Sequence, residues 1–170
     1  MNLKKHIRNI PDFPKVGIQF KDIESITENP DAFSYVTRQF SDALNSYDID
    51  KIVALDARGF LFGAPLAQQK KLPLVMARKK GKLPGSCVSQ AYTLEYDDAV
   101  IELQKTAISS GDNVLIVDDL LATGGTAKAA IDLVEKLGGS VLLLAFVIEL
   151  DDLKGREKLG DIDVVSLVSF

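Results

Sequence analysis

Val114-Leu115-Ile116-Val117-Asp118-Asp119-Leu120-Leu121-Ala122-Thr123-Gly124-Gly125-Thr126 is the stretch on which the reading of this sequence turns. Four consecutive apolar residues form a run suited to a strand buried on both faces, the mark of a parallel sheet. Two acidic residues follow. Small residues, two glycines and two hydroxyls come next, and a helical pattern then runs from Thr126 to Leu137 before Gly138-Gly139 stops it. This is a strand, turn, helix unit.

Other units flank it. Ile52 to Leu55 reads as a buried strand, followed by the turn Asp56-Ala57-Arg58-Gly59 and a helix to about Leu72. Leu74 to Ala77 supplies another strand, Val141 to Ile148 another, and Val164 to Val168 the last. Upstream, Asn29 and Pro30 open a helix whose buried face is Phe33, Val36, Phe40, Ala43, Leu44 and Tyr47. Residues 9 to 22, with Pro11, Pro14 and Gly17, read as an ordered but irregular arm. Tyr92 to Leu103, with Asp97-Asp98 as its turn, reads as two strands outside the main sheet. Strands alternating with helices imply an α/β fold: one domain over residues 1–170, an open, mostly parallel sheet with helices on both faces. In such sheets ligands bind beyond the carboxyl ends of the strands, which places the turns at Asp56, Arg78 and Asp118 along one edge.

Composition narrows the possible partners. A chain of 170 residues with 46% hydrophobic residues can bury one sizeable core, and a formal charge of -4 gives no global reason to bind nucleic acid or an anionic membrane. One cysteine, Cys87, excludes an intramolecular disulfide and fits a reducing cytoplasm. One histidine, His6, argues against a histidine-rich metal site and a Ser/His/Asp triad, so no protein-built metal site is expected. No signal peptide is expected from the N-terminus, and the longest apolar run is far short of the ~20 residues a membrane span requires.

The chemistry therefore concentrates at the quoted stretch. Backbone N–H groups at a helix start suit a dianionic phosphate, with Thr123 and Thr126 adding donors. The turn lacks the Gly-Lys-Ser/Thr of a nucleotide-triphosphate loop and the Gly-x-Gly-x-x-Gly of a dinucleotide fold. Carboxylates beside an anion site make sense if they face a sugar: Asp118 and Asp119 can accept from two ribose hydroxyls while the turn holds the 5-phosphate. Their charge would also favour an oxocarbenium-like anomeric carbon.

The whole segment resembles the phosphoribosyl pyrophosphate signature of type I phosphoribosyltransferases. Asp12-Phe13-Pro14, Gly17, Phe20-Lys21-Asp22, Ala57 to Gly63, Arg78 to Gly85 and Leu94-Glu95-Tyr96 narrow the resemblance to the adenine phosphoribosyltransferase family, from about Ile10 to Phe170. That resemblance implies transfer of a phosphoribosyl group from phosphoribosyl pyrophosphate to adenine N9, giving AMP and pyrophosphate with magnesium. It implies a homodimer, a short N-terminal base-binding arm and a flexible loop. By the same resemblance, Ala122, Thr123, Gly124, Gly125 and Thr126 hold the 5-phosphate, Asp118 and Asp119 the ribose, and Arg58, Arg78 and Lys82 the pyrophosphate. Glu95 manages the adenine proton, on a loop from about Lys79 to Tyr96 that closes over the substrates with Gly81 and Gly85 permitting the motion. Adenine is read at Ile18 to Lys21, largely by backbone groups. Gln19 stands where the family more often has an aliphatic residue, and Lys21 where it more often has arginine. A phosphoribosyltransferase for a 6-oxopurine and a non-catalytic regulator binding the sugar donor are the competing expectations; an intact Glu95, Arg58 and basic loop weigh against the regulator.

Overall fold

The computed structural model describes residues 1–93 and 98–170. Its first strands, β1 (Arg8–Pro11) and β2 (Gln19–Asp22), pair antiparallel, so the arm expected to be irregular is a two-stranded ribbon. Phe13-Pro14 is cis within its bend, and the Asp12 carboxylate accepts from the Gly17 N–H. A short helix α1 (Glu24–Thr27) leads to α2 (Pro30–Ala43). The Asn29 side chain caps α2 by accepting from Asp31 and Ala32, satisfying donors that a helix start leaves unpaired.

The main body alternates as its sequence pattern demands: β3 (Lys51–Leu55), α3 (Gly59–Lys70), β4 (Leu74–Lys79), β5 (Cys87–Thr93), β6 (Asp98–Gln104), β7 (Asn113–Leu121), α4 (Gly125–Lys136), β8 (Ser140–Glu149) and β9 (Asp163–Ser169). They form a seven-stranded sheet in the order β5-β6-β4-β3-β7-β8-β9. β4, β3, β7, β8 and β9 are parallel neighbours. β5 and β6 were expected outside this sheet, and the structure corrects that: β6 joins the edge of β4 antiparallel, at Arg78↔Glu102 and Lys79↔Ile101. Only the last two residues of β4 make that junction, just where the apolar run ends, so no local pattern announces it. Asp98 lies in β6 rather than in the turn, and Asp97 falls outside the described residues.

Two apolar layers cover the central strands. Val36 and Phe40 of α2 and Phe62 and Leu66 of α3 pack with Ile52, Leu115 and Val117 on one side. Ala130, Ile131 and Val134 of α4 pack with Val53, Ile116 and Leu144 on the other. No described helix is long and apolar enough to cross a membrane.

The chain climbs from β3 to β4 on one side and returns to place β7 on the other, so the β3/β7 boundary is where the winding reverses. A crevice opens at the carboxyl ends of strands at such a boundary. Away from that crevice, α3 packs closely on the sheet: a Cβ on Gly63 would come within 2.7 Å of Ala54 Cβ. Gly63→Val should therefore lower stability by about 1–3 kcal/mol through overpacking, a loss exceeding the small gain from replacing a helical glycine. Urea denaturation measures it, and an unmoved midpoint would contradict this contact.

Candidate active site

β7 does not stop at Val117. It continues through the acidic pair to Leu121, paired with β8 at Asp118↔Phe146, Leu120↔Ile148 and Leu121↔Glu149. The carboxylates are thus held on ladder-bonded backbone rather than on a loose turn. Asp118 lines a cleft of about 380 Å³ of empty volume together with Leu120 to Ala127 and Phe146. All of the expected cradle, Ala122, Thr123, Gly124, Gly125 and Thr126, therefore faces the same space as Asp118. Gly124 sits at φ 77°, a left-handed conformation that suits glycine, and α4 begins at the next residue. The first turn of that helix leaves N–H groups and the positive end of its dipole at the cleft.

Asp119 is directed to a different partner. Its Oδ2 lies 2.9 Å from Arg58 Nε, on the turn after β3, while its own N–H donates to Asp118 Oδ1 at 2.8 Å. Gly59 explains how that turn comes so near: a Cβ there would fall 2.7 Å from the Val117 carbonyl oxygen and 3.0 Å from Asp118 Oδ1. The peptide joining Asp56 to Ala57 is cis.

Burial raises the pKa of Asp118 well above the ordinary carboxylate range, and the neighbouring charge of Asp119 raises it further; Arg58 acts in the opposite direction. Burial also raises that of Asp119, again against the pull of Arg58. Two adjacent carboxylates with one guanidinium paired to Asp119 form a site short of positive charge and rich in acceptors, as a polyhydroxylated or cationic ligand requires.

The basic residues are split. Arg78 sits at the end of β4, with Nε 3.1 Å from Asp56 Oδ2 and one terminal nitrogen 3.4 Å from the Lys82 carbonyl oxygen. Arg58 and Arg78 keep 41% and 32% of their side chains exposed, so both retain donors for an incoming anion. Lys82 is exposed. Its turn is less free than the sequence suggested. The Gly81 N–H donates to Glu102 Oε2 at 2.9 Å, the Ser89 hydroxyl to Glu102 Oε1 at 2.9 Å, and the Lys80 N–H to the Val100 carbonyl. The hydrogen bonds from Gly81 and Ser89 lower the pKa of Glu102, keeping it an acceptor. Residues 79–96, read as one moving loop, thus contain a turn tied to β6 and the whole of β5. Glu95 lies outside the described residues.

On the arm, Gln19 and Lys21 turn their side chains to Asn9. Gln19 Oε1 accepts from Asn9 Nδ2 at 2.6 Å, Lys21 Nζ donates to Asn9 Oδ1 at 2.9 Å, and the same ammonium lies 4.2 Å from the centre of the Phe170 ring. None of these contacts joins either side chain to the acidic pair. Phe20, between them, points to the site: its ring lies 5.8 Å from the Arg58 guanidinium carbon and packs edge-on against Phe13 at 5.1 Å. Phe20 falls within the Ile18 to Lys21 segment expected at the base, though no role was expected of its side chain; period-2 alternation between two polar residues is the signal that turns it to the opposite face.

A phosphoribosyl transferase domain matches residues 22–169. The adenine phosphoribosyltransferase of Desulfosudis oleivorans is 49% identical over 170 residues, spanning 100% of this chain and 98% of that one. The chain belongs to the adenine phosphoribosyltransferase family. The crystal structure of the family member from Thermoanaerobacter pseudethanolicus matches with a TM-score of 0.95 at 49% identity, covering 99% of this chain and 98% of that one. The Saccharomyces cerevisiae member, complexed with D-2,5-dideoxy-2,5-imino-altritol 1,6-bisphosphate and adenine, matches at 0.92 with 46% identity over 97% and 96% of the two chains.

The acidic pair has a measurable signature in the free protein. A folded-state pKa above the unfolded one means that the native state binds the proton more tightly, so stability falls as pH rises from the ordinary aspartate value, about 3.9, toward the raised one. Asp118→Asn should therefore raise the melting temperature of the ligand-free protein near neutral pH while activity drops, and the gain should vanish below about pH 4. Calorimetric scans across pH test this; a variant that melts lower at every pH would contradict the assigned repulsion.

Proposed function

We propose that the chain transfers the 5-phosphoribosyl group of phosphoribosyl pyrophosphate to N9 of adenine, releasing pyrophosphate and forming AMP, a purine-salvage reaction. The observation that carries this reading is the single cleft shared by Asp118 and the Ala122 to Thr126 turn. One end of that cleft suits a phosphate and the other suits hydroxyls and positive charge, which matches ribose 5-phosphate along its length.

The roles follow from chemistry. The turn and the start of α4 bind the 5-phosphate; each hydrogen bond to a charged group contributes ~1.5–3 kcal/mol. Asp118 and Asp119 accept from the ribose hydroxyls and stabilise positive charge developing at the anomeric carbon as the bond to pyrophosphate breaks. Arg58, Arg78 and Lys82 bind the departing pyrophosphate, Arg58 exchanging part of its contact with Asp119 for the anion. The hard carboxylate oxygens suit magnesium arriving with the donor, and that ion would neutralise leaving-group charge. Phe20 offers a ring face to the purine while the β2 backbone reads its edge. Glu95 holds the proton that adenine N9 gives up. We further infer that residues 1–170 work as one domain and that two copies associate, as membership of the family implies. A cytoplasmic setting accords with the free cysteine Cys87.

Incubation with adenine, phosphoribosyl pyrophosphate and magnesium should yield AMP, with hypoxanthine and guanine turned over far more slowly; a preference for either 6-oxopurine would replace the proposed acceptor. Glu95→Gln should lower turnover at least about tenfold with little change in donor affinity, because a positioned acid or base contributes ~10²–10⁴ in rate. Near-normal turnover would remove Glu95 from the proton's path. Gly124→Val should abolish donor binding, and calorimetry showing unaltered affinity would refute the phosphate cradle.

A further inference from the structure

The turn that lines the cleft is supported from behind by a segment far along the chain. A Cβ placed on Gly124 would fall 3.1 Å from the Gly155 carbonyl carbon and 3.3 Å from its Cα. Conversely, a Cβ on Gly155 would fall 3.1 Å from the Gly124 nitrogen and 2.9 Å from Leu121 Cδ1, and closer still to the Ala122 carbonyl oxygen. Two glycine backbones thus meet with no side chain between them. Gly155 is buried and follows Lys154, which takes the left-handed φ of 52°.

The next residue anchors this contact. Arg156 forms a two-pronged pair with Glu149, Nε to Oε1 at 2.6 Å and one terminal nitrogen to Oε2 at 2.7 Å. It also donates to the Val164 carbonyl at 3.0 Å and lies 3.3 Å from the Ser166 hydroxyl, both on β9. Glu149 is buried and pairs across the ladder with Leu121, three residues before Gly124. The Leu150 N–H donates to the Leu121 carbonyl at 2.9 Å. A rigid path therefore runs from β9 through Arg156 to Gly155 and onto the back of the turn, and a planar fork holds direction in a way that a single point charge cannot.

We propose that Arg156 and Gly155 are positioning residues for the sugar donor: the Glu149–Arg156 clasp presses the Gly155 backbone against Ala122 and Gly124 and holds the turn in its phosphate-binding shape. The inference rests on the reading of that turn as the 5-phosphate cradle. It requires that loosening the clasp weaken donor binding while leaving the acceptor base and the chemical step alone.

The test is titration of ribose 5-phosphate into the full-length protein by calorimetry, beside steady-state kinetics on phosphoribosyl pyrophosphate and adenine. Arg156→Met keeps the stem and removes the fork; it should weaken ribose 5-phosphate affinity and raise the donor KM about tenfold, the order expected when a supporting contact lets a binding group drift by a fraction of an ångström. The kcat at saturating donor and the adenine KM should stay within about twofold, and Arg156→Lys should recover part of the loss. Gly155→Ala should weaken donor affinity through the opposite defect, a methyl group driven into the turn. Gly63→Val serves as the control for lost stability and should leave donor affinity unchanged when assayed well below its melting temperature. Unchanged donor affinity in Arg156→Met, equal loss toward adenine, or the same loss in Gly63→Val would overturn the proposal. Wild-type protein that binds ribose 5-phosphate no better than Gly124→Val would instead refute the cradle itself, so the two failures are distinguishable.

Discussion

Everything at this site is built around two neighbouring carboxylates held in a place that disfavours their charge. Asp118 and Asp119 lie where burial and mutual repulsion oppose ionisation, and one guanidinium, Arg58, acts against both effects. An isolated pair of this kind would take up a proton or splay apart. Here the backbone prevents the second outcome, because β7 continues through both residues and is laddered to β8 beyond them. The free protein thus carries an unfavourable electrostatic arrangement in fixed geometry, and a ligand bringing hydroxyl donors and developing positive charge relieves it.

The rest of the edge is arranged around that strain. Gly59 lets α3 start almost in contact with the β7 backbone, which brings Arg58 to Asp119. Phe20 lies over Arg58 from the arm, so the N-terminal ribbon and the acidic pair share a partner. On the far side, Glu102 fixes the turn carrying Lys82 by accepting from Gly81. Each support acts through backbone or through a buried acceptor. Groups held in that way need little reorganisation when charge develops, which is what electrostatic stabilisation of a reacting centre requires.

Local chemistry was legible in the sequence; long-range support was not. The run Val114 to Thr126 states its strand, its acidic pair and its turn in consecutive letters, because burial on both faces and the start of a helix are each written within a few residues. The strands β3, β4, β8 and β9 were readable for the same reason, with ends differing by one or two residues. By contrast, the attachment of β6 to β4 rests on two residue pairs separated by more than twenty positions, and no periodicity encodes it. Gly155 and Glu102 escaped notice because their importance lies in what they touch. Gln19 and Lys21 drew attention by departing from a family pattern, while the ring between them, an ordinary phenylalanine, is the side chain that reaches the site.

Such support also bears on where variation can be tolerated. In the proposed cradle backbone N–H groups supply much of the binding, with Thr123 and Thr126 adding donors, so its strength would follow the shape of the main chain. Shape is controlled by whatever packs behind it, and at Gly124 that is another main chain rather than a deformable side chain. A methyl group added to either glycine has nowhere to go, because backbone cannot rotate aside as a long side chain can. On the proposed reading of this turn, specificity for a phosphate would therefore extend outward from the turn itself to the glycine and arginine packed behind it.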